Sequence, residues 1–115
     1  MPILIKRVYE DPSDQDGYRI LVDRLWPRGI KKDDLPLDEW CKEITPSTQL
    51  RREFHARHID QVEFQERYLA ELEGSPDLAR IATIAQSGQV TLLIAGRDVQ
   101  NSHAHVLREA IEAAG

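Results

Sequence analysis

Two aspartate–arginine pairs follow the two most apolar runs of the sequence, and such pairs can bind anions or move protons. Asp23 and Arg24 come directly after residues 20–22 (ILV), and Arg97 and Asp98 come shortly after residues 90–95 (VTLLIA). Arginine presents planar, paired donors that suit phosphate or carboxylate groups. If the runs are neighbouring parallel strands, both pairs meet beyond the carboxyl ends, where open α/β sheets bind ligands. The alternative is a structural network of salt bridges, and the sequence leaves both open.

Four further residues would border such a site. Trp26 and Arg28 lie on the loop after the first apolar run, and Trp26 can either stack on a ligand or act as a packing lid. Ser102 and His103 lie near the start of the last predicted helix, where free amides attract an anion. His103 is the best candidate for acid–base work because imidazole titrates near neutrality, although capping the helix is an equally physical role. The predicted site comprises His103 and Asp23 as catalytic candidates and Arg24, Trp26, Arg28, Arg97, Asp98 and Ser102 as ligand contacts.

Neither a metal site nor a reactive thiol is predicted. Cys41 lies in an apolar segment with no histidine close in sequence, which favours a buried and chemically silent side chain. His55 and His58 have a spacing that permits shared metal binding, but a third ligand and the glutamate of zinc proteases are missing nearby. The pair is therefore interpreted as an exposed helix face. Since dinucleotide, P-loop and serine-hydrolase motifs are also missing, we expect no cofactor.

The elements that would position these residues are three strands and four helices. Strands are predicted at residues 3–8, 18–26 and 90–95, and helices after Ser47, after Asp60, after Ser75 and from residue 101 or 102. Residues 30–36 are predicted to be an exposed connection, and residues 37–44 fit either a short helix or a strand. Strands that are apolar on both faces are covered on both sides. The pattern predicts an α/β fold, a small mostly parallel sheet of three to four strands with helices on both faces.

Composition restricts the class of protein. A chain of 115 residues with 41% hydrophobic and 30% charged residues is expected to form one domain, over residues 1–115. The net charge of −5 makes nucleic acid an unlikely partner, so Lys31, Lys32, Arg51 and Arg52 are interpreted as solvated surface. The sequence has no apolar run long enough for a membrane span, and its single cysteine suits a reducing compartment. We therefore expect a cytoplasmic protein without membrane attachment.

Residues 17–29 (GYRILVDRLWPRG), together with residues 6–9 (KRVY), resemble the signature of the YeaO-like family of uncharacterised bacterial proteins. That family belongs to a larger group classified only as a domain of unknown function, number four-eight-eight. Further matches at residues 37–40, 44–47 and 68–72, and around His103, extend the resemblance over nearly the whole chain. The resemblance implies no particular activity, because the family has none assigned.

Two departures from the family pattern bear on chemistry. Ile94 stands where YeaO-like sequences commonly carry tyrosine, so a role for a phenol does not transfer. Distant members of the broader group carry Cys-His-Arg near the start of the last helix, where this chain has Ser102, His103 and Ala104. A thiol mechanism for those relatives is therefore not implied for this chain.

The leading functional hypothesis is the binding of a small anionic ligand, bearing phosphate or carboxylate, at the carboxyl ends of the strands. Catalysis is left open; an enzyme here would be a hydrolase or group transferase using His103 or Asp23 as acid–base, without thiol or metal. The alternatives are a non-catalytic interaction or regulatory protein, whose charged cluster is structural, and a weak nucleic-acid binder.

Overall fold

Four parallel strands form the centre of the fold in the computed structural model, which describes residues 3–97 and 102–114. The strands are β1 (Leu4–Arg7), β2 (Tyr18–Leu21), β3 (Glu39–Trp40) and β4 (Val90–Ile94). Their order in the sheet is β1-β4-β2-β3, so β4 lies between β1 and β2. The predicted small parallel α/β sheet is confirmed, and the two apolar runs are indeed neighbouring central strands.

Four α-helices connect and cover these strands. They are α1 (Thr48–His55), α2 (Gln61–Leu72), α3 (Pro76–Ser87) and α4 (His103–Ala114). The first three begin where their capping residues predict: the side chains of Ser47, Asp60 and Ser75 each accept a hydrogen bond from the backbone N–H three residues later. These caps satisfy amides that a helix cannot pair internally, so they fix where each helix begins.

The four α-helices pack on one face of the sheet. Alternate strand residues such as Ile20 and Leu92 join one buried cluster with Tyr68, Ile81 and Leu107 of the helices. The opposite face carries Leu21 and Leu93, which pack against residues of the segment between β2 and β3. We expected helices on both faces. Helical cover between β2 and β3 is instead limited to a 3-10 turn, Lys32–Asp34.

Two ambiguous segments take definite forms. Residues 30–36 were expected to be exposed, but Leu35 is buried against the second face of the sheet, with Ile30 partly buried beside it. Residues 37–44, which fitted either a helix or a strand, contain both the short strand β3 and a 3-10 turn, Lys42–Ile44. Strand β2 ends at Leu21, earlier than the predicted residue 26, so the chain leaves the sheet just before Asp23.

A buried ion network lies before β2, at the opposite end of that strand from Asp23. Asp16 is 2% exposed, forms an ion pair with Lys6 of β1 at 3.0 Å and contacts the guanidinium of Arg19. It also accepts a hydrogen bond from the backbone N–H of Ser13. Burial alone raises the pKa of Asp16, but the Ser13 hydrogen bond and the two cations outweigh it, and the net shift is downward from 3.8.

Among the described residues, the helices are too short and too polar for a bilayer crossing.

Candidate functional site

A cleft of about 630 Å³ opens beyond the carboxyl ends of β2 and β4. Its floor contains Ile94 and the two residues that follow it, Ala95 and Gly96. Its walls come from the loops after β1 and β2, from the segment that leads into α1, and from the first residue of α4. This is the edge at which open parallel sheets bind their ligands, and the volume suits a small molecule.

Asp23 ties the ends of the two central strands together. Its Oδ2 accepts a hydrogen bond from the backbone N–H of Ala95 at 2.7 Å, and its Oδ1 lies 3.5 Å from Nε2 of His103. Its own carbonyl accepts a hydrogen bond from the indole of Trp40 at 2.7 Å. Asp23 therefore links the end of β2 to β4 through its Oδ2 and to β3 through its backbone carbonyl.

His103 is the first residue of α4 and lines the cleft. Its Nε2 donates a hydrogen bond to the carbonyl oxygen of Val22 at 2.5 Å, so the ring proton resides on Nε2. Burial lowers the pKa of His103 below its ordinary value of 6.5; Val22 and Asp23 oppose the shift, and the positive charge of Arg51 reinforces it. His103 is therefore neutral near pH 7, and its ring N–H donates to a backbone carbonyl.

Three arginines give the cleft a positive lining. Arg28, Arg51 and Arg97 all border it, whereas Asp23 is its one acidic lining residue within the described ranges. The three guanidinium groups make no hydrogen bond or ion pair with a residue of segments 3–97 and 102–114. The cleft is therefore lined mainly by positive charge, although the chain as a whole has a net charge of −5. Such a lining suits an anionic ligand, because guanidinium donors that are unpaired within the described segments could bind it.

Arg51 was missed by the sequence reasoning, which treated it as solvated surface. It is half-buried in the cleft wall, while its neighbour Arg52 is exposed and does not line the cleft. The signal was present in helix spacing: Phe54 and His55 lie three and four residues after Arg51, share its face of α1 and also line the cleft. Recognising it required knowing which face of α1 turns toward the strand ends.

The loops around the cleft are fixed by side chains that bind backbone carbonyls. Arg7 donates to Gly96 at 3.0 Å and to Ala95 at 2.9 Å, which anchors the chain after β4 to the end of β1. The hydroxyl of Tyr9 donates to the carbonyl of Arg28 at 3.0 Å. These bonds define the rim before any ligand arrives, and such preorganisation lowers the entropic cost of binding.

The remaining predicted residues divide between the cleft and other places. Trp26 and Ser102 line the cleft with Asp23, Arg28, Arg97 and His103. Arg24 does not: its Nη2 donates to the carbonyl of Thr45 at 3.4 Å, and its buried Nε has no hydrogen-bond partner in the described segments. Asp98 lies outside the described residues.

Trp26 has the packing role considered for it and also lies at the cleft. Its indole N–H donates to the carbonyl of Ile30 at 2.7 Å, and its ring meets that of Trp40 edge-on at 5.4 Å. The ring therefore packs on the second face of the sheet while also bordering the cleft.

Cys41 lies outside the cleft, at the end of β3. It is 2% exposed, and burial together with nearby carboxylates raises its pKa to about 11, so the thiol stays protonated. Its sulfur belongs to a cluster with Glu43 and Asp77, whose ligand atoms lie within 4.8 Å of one another. Arg80 pairs with Asp77 at 3.0 Å, so that carboxylate already has a cationic partner.

Both histidines are exposed, but His55 is the last residue of α1 and lines the cleft, whereas His58 lies beyond the helix and does not line it, so the two do not share a helix face as expected. The two histidines therefore differ in surroundings despite their spacing.

Comparison with known proteins places the chain in a family. A family model described as "Inactive DUF488-N3 subclade" matches residues 2–114. The chain is 54% identical to the uncharacterised protein YeaO of Escherichia coli (strain K12) over 110 residues, which cover 95% of this chain and 96% of that protein. It is 42% identical to an uncharacterised protein of Mycobacterium tuberculosis over 109 residues, covering 95% and 92% of the two chains. No solved structure matches it significantly. The chain belongs to the YeaO-like proteins within the DUF488 group, in the subclade described as inactive.

Proposed function

We propose that this protein binds a small anionic ligand in the cleft and does not turn it over. The observation that carries the proposal is the charge of the cleft: three arginines that have no partner among the described residues line it, and its one described aspartate accepts a hydrogen bond from Ala95. Phosphate and carboxylate are the groups that guanidinium donors recognise best, because two parallel hydrogen bonds can form at once.

The state of the two acid–base candidates supports binding without turnover. A general base must have a free acceptor within reach of the substrate proton. Oδ2 of Asp23 already accepts the backbone N–H of Ala95, and Nε2 of His103 already donates its proton to Val22, so proton transfer through either atom would break a bond that holds the strand ends. The description of the subclade as inactive agrees with this proposal.

A thermal-shift titration with inorganic phosphate, at constant ionic strength, tests the proposal. We expect phosphate to raise the melting temperature of the wild type in a saturable way, since a ligand that binds only the native state stabilises it. Arg51→Gln should weaken phosphate binding about tenfold or more, because a hydrogen bond to a charged group contributes roughly 1.5–3 kcal/mol.

Arg52→Gln is the matched control. It removes the same charge from the next residue of α1, which is exposed and outside the cleft. We expect Arg52→Gln to bind phosphate as the wild type does. Equal losses in the two variants would indicate unspecific attraction, and no stabilisation of the wild type by phosphate, sulfate or a dicarboxylate would overturn the proposal.

A further inference from the structure

We infer that the ligand of this cleft carries its anionic group on an aromatic or other flat apolar group, so that a bare inorganic anion is only part of it. The inference rests on the proposed function and names the ligand class more narrowly. It comes from the apolar part of the lining, which anion binding alone does not explain.

Aromatic side chains are concentrated at the cleft. The chain has seven aromatic residues, and four of them, Tyr9, Trp26, Phe54 and Phe64, line it. Phe54 and Phe64 stack on each other with ring centroids 4.5 Å apart, so the buried Phe64 holds the Phe54 ring in place at the wall of the cleft. Flat, fixed rings next to guanidinium groups suit a planar ligand, because aromatic pairs gain from stacked or edge-on contact beyond the burial of area.

The size of the cleft also exceeds what an inorganic anion needs. Its volume of about 630 Å³ falls within the range of sites that enclose small organic molecules, roughly 300–1,000 Å³. A phosphate held by one or two arginines would leave most of that space to water. A larger apolar portion would displace this water from the aromatic wall, which is favourable.

Two of the exposed large hydrophobic side chains lie on the rim of the cleft. Leu25 is 71% exposed and Tyr9 is 48% exposed, and both line the cleft. Within segments 3–97 and 102–114, Val62 is the one other large hydrophobic residue at least as exposed as Tyr9, so two of the three lie at one site. Single exposed apolar residues are ordinary, but apolar residues that gather beside a cationic cleft mark a binding surface.

The test compares dissociation constants, by calorimetry, for inorganic phosphate, phenyl phosphate, adenosine 5′-monophosphate and uncharged adenosine. We expect phenyl phosphate or the nucleotide to bind about tenfold tighter than phosphate, or more, because a buried ring adds apolar contact. Leu25→Ser should remove part of that advantage and leave the affinity for inorganic phosphate unchanged. Val62→Ser is the matched control, since Val62 is 63% exposed on α2 and lies outside the cleft.

Each outcome separates the inference from the proposed function. If inorganic phosphate binds as tightly as both aromatic phosphates, the inference is wrong while anion binding stands. If adenosine binds as tightly as its monophosphate, the anionic group contributes nothing and the proposed function is wrong. If none of the four compounds binds, both are overturned. Equal effects of Leu25→Ser and Val62→Ser would remove Leu25 from the ligand surface and count against the inference.

Discussion

Replacing Asp16 by asparagine should lower the free energy of unfolding by about 3–5 kcal/mol. Asp16 is 2% exposed and its charge faces two cations, Lys6 at 3.0 Å and the buried Arg19. Asparagine keeps the shape but not the charge, so the Arg19 guanidinium would remain buried without a counter-ion. An unpaired buried charge is far more costly than a missing surface salt bridge, which is why the expected loss is large.

Urea denaturation measures this loss. With an m value of about 1–3 kcal/mol per molar urea, the midpoint should fall by at least about 1 M. Asp14→Asn is the control, because Asp14 belongs to the same 3-10 turn but is exposed, and its substitution should cost less than about 0.5 kcal/mol. Equal midpoints for the two variants would refute the claim that the network stabilises the amino end of the sheet.

The pH dependence gives a second check on the same residue. The folded-state pKa of Asp16 lies below its ordinary value of 3.8, so the unfolded chain binds its proton more readily than the native one. The stabilisation is therefore complete above about pH 4 and is lost as the pH falls through the lower, folded-state pKa. The difference in stability between wild type and Asp16→Asn should shrink in that acid range, and a constant difference down to strongly acidic pH would contradict the assignment.

Three further predictions concern other parts of the chain. Burial lowers the pKa of His103 below 6.5, so the unfolded state takes up more protons and the free energy of unfolding should fall as the pH drops below about 6.5. The difference between the urea midpoints at pH 8 and pH 5.5 should therefore be smaller in His103→Gln than in the wild type, and an equal difference would contradict the argument. Gly17→Ala should destabilise the protein clearly more than Gly74→Ala. Both glycines have positive φ, but only at Gly17 would a Cβ lie 2.2 Å from the carbonyl oxygen of Gln89. Gly74→Ala should lower the free energy of unfolding by about 1 kcal/mol, and equal urea midpoints for the two variants would rule out the clash. The buried thiol of Cys41, with a pKa of about 11, should be alkylated slowly at pH 8 in the native protein and rapidly in urea, and equal rates would show that the site is open.

Local signals were sufficient for the elements of the fold. The caps at Ser47, Asp60 and Ser75 involve atoms three residues apart, so the sequence alone determines them. The two apolar runs identified β2 and β4 as central strands because strands that are buried on both faces are mostly apolar on both faces. The segment that covers the second face could not be predicted in the same way, since Ile30, Leu35 and Leu37 show neither a helical nor a strand period and reach the sheet only through the path of the loop.

The residues of the candidate site that follow a strand could be predicted, whereas those that depend on how a helix or loop packs against the sheet could not. Asp23 and Arg97 reach the cleft because β2 and β4 are adjacent and parallel. Arg51 enters through the orientation of α1, and Arg24 turns away toward Thr45, although it directly follows Asp23. The side chains of successive residues in an extended chain point to opposite sides, so only one of two neighbouring charged residues faces the cleft.

The sequence left open whether the charged residues form an anion site or an internal charge network. In the structure, Asp23 has an internal hydrogen-bond partner, whereas three arginines line the cleft. Asp23 is satisfied internally, but its strongest partner is the backbone N–H of Ala95, which no pattern of side chains reveals. Had it paired with Arg97, as the structural alternative required, one cation of the cleft would have been neutralised. Because the carboxylate accepts the backbone N–H of Ala95 and lies beside His103 instead, Asp23 does not neutralise Arg97, and the proposed anion binding depends on that charge.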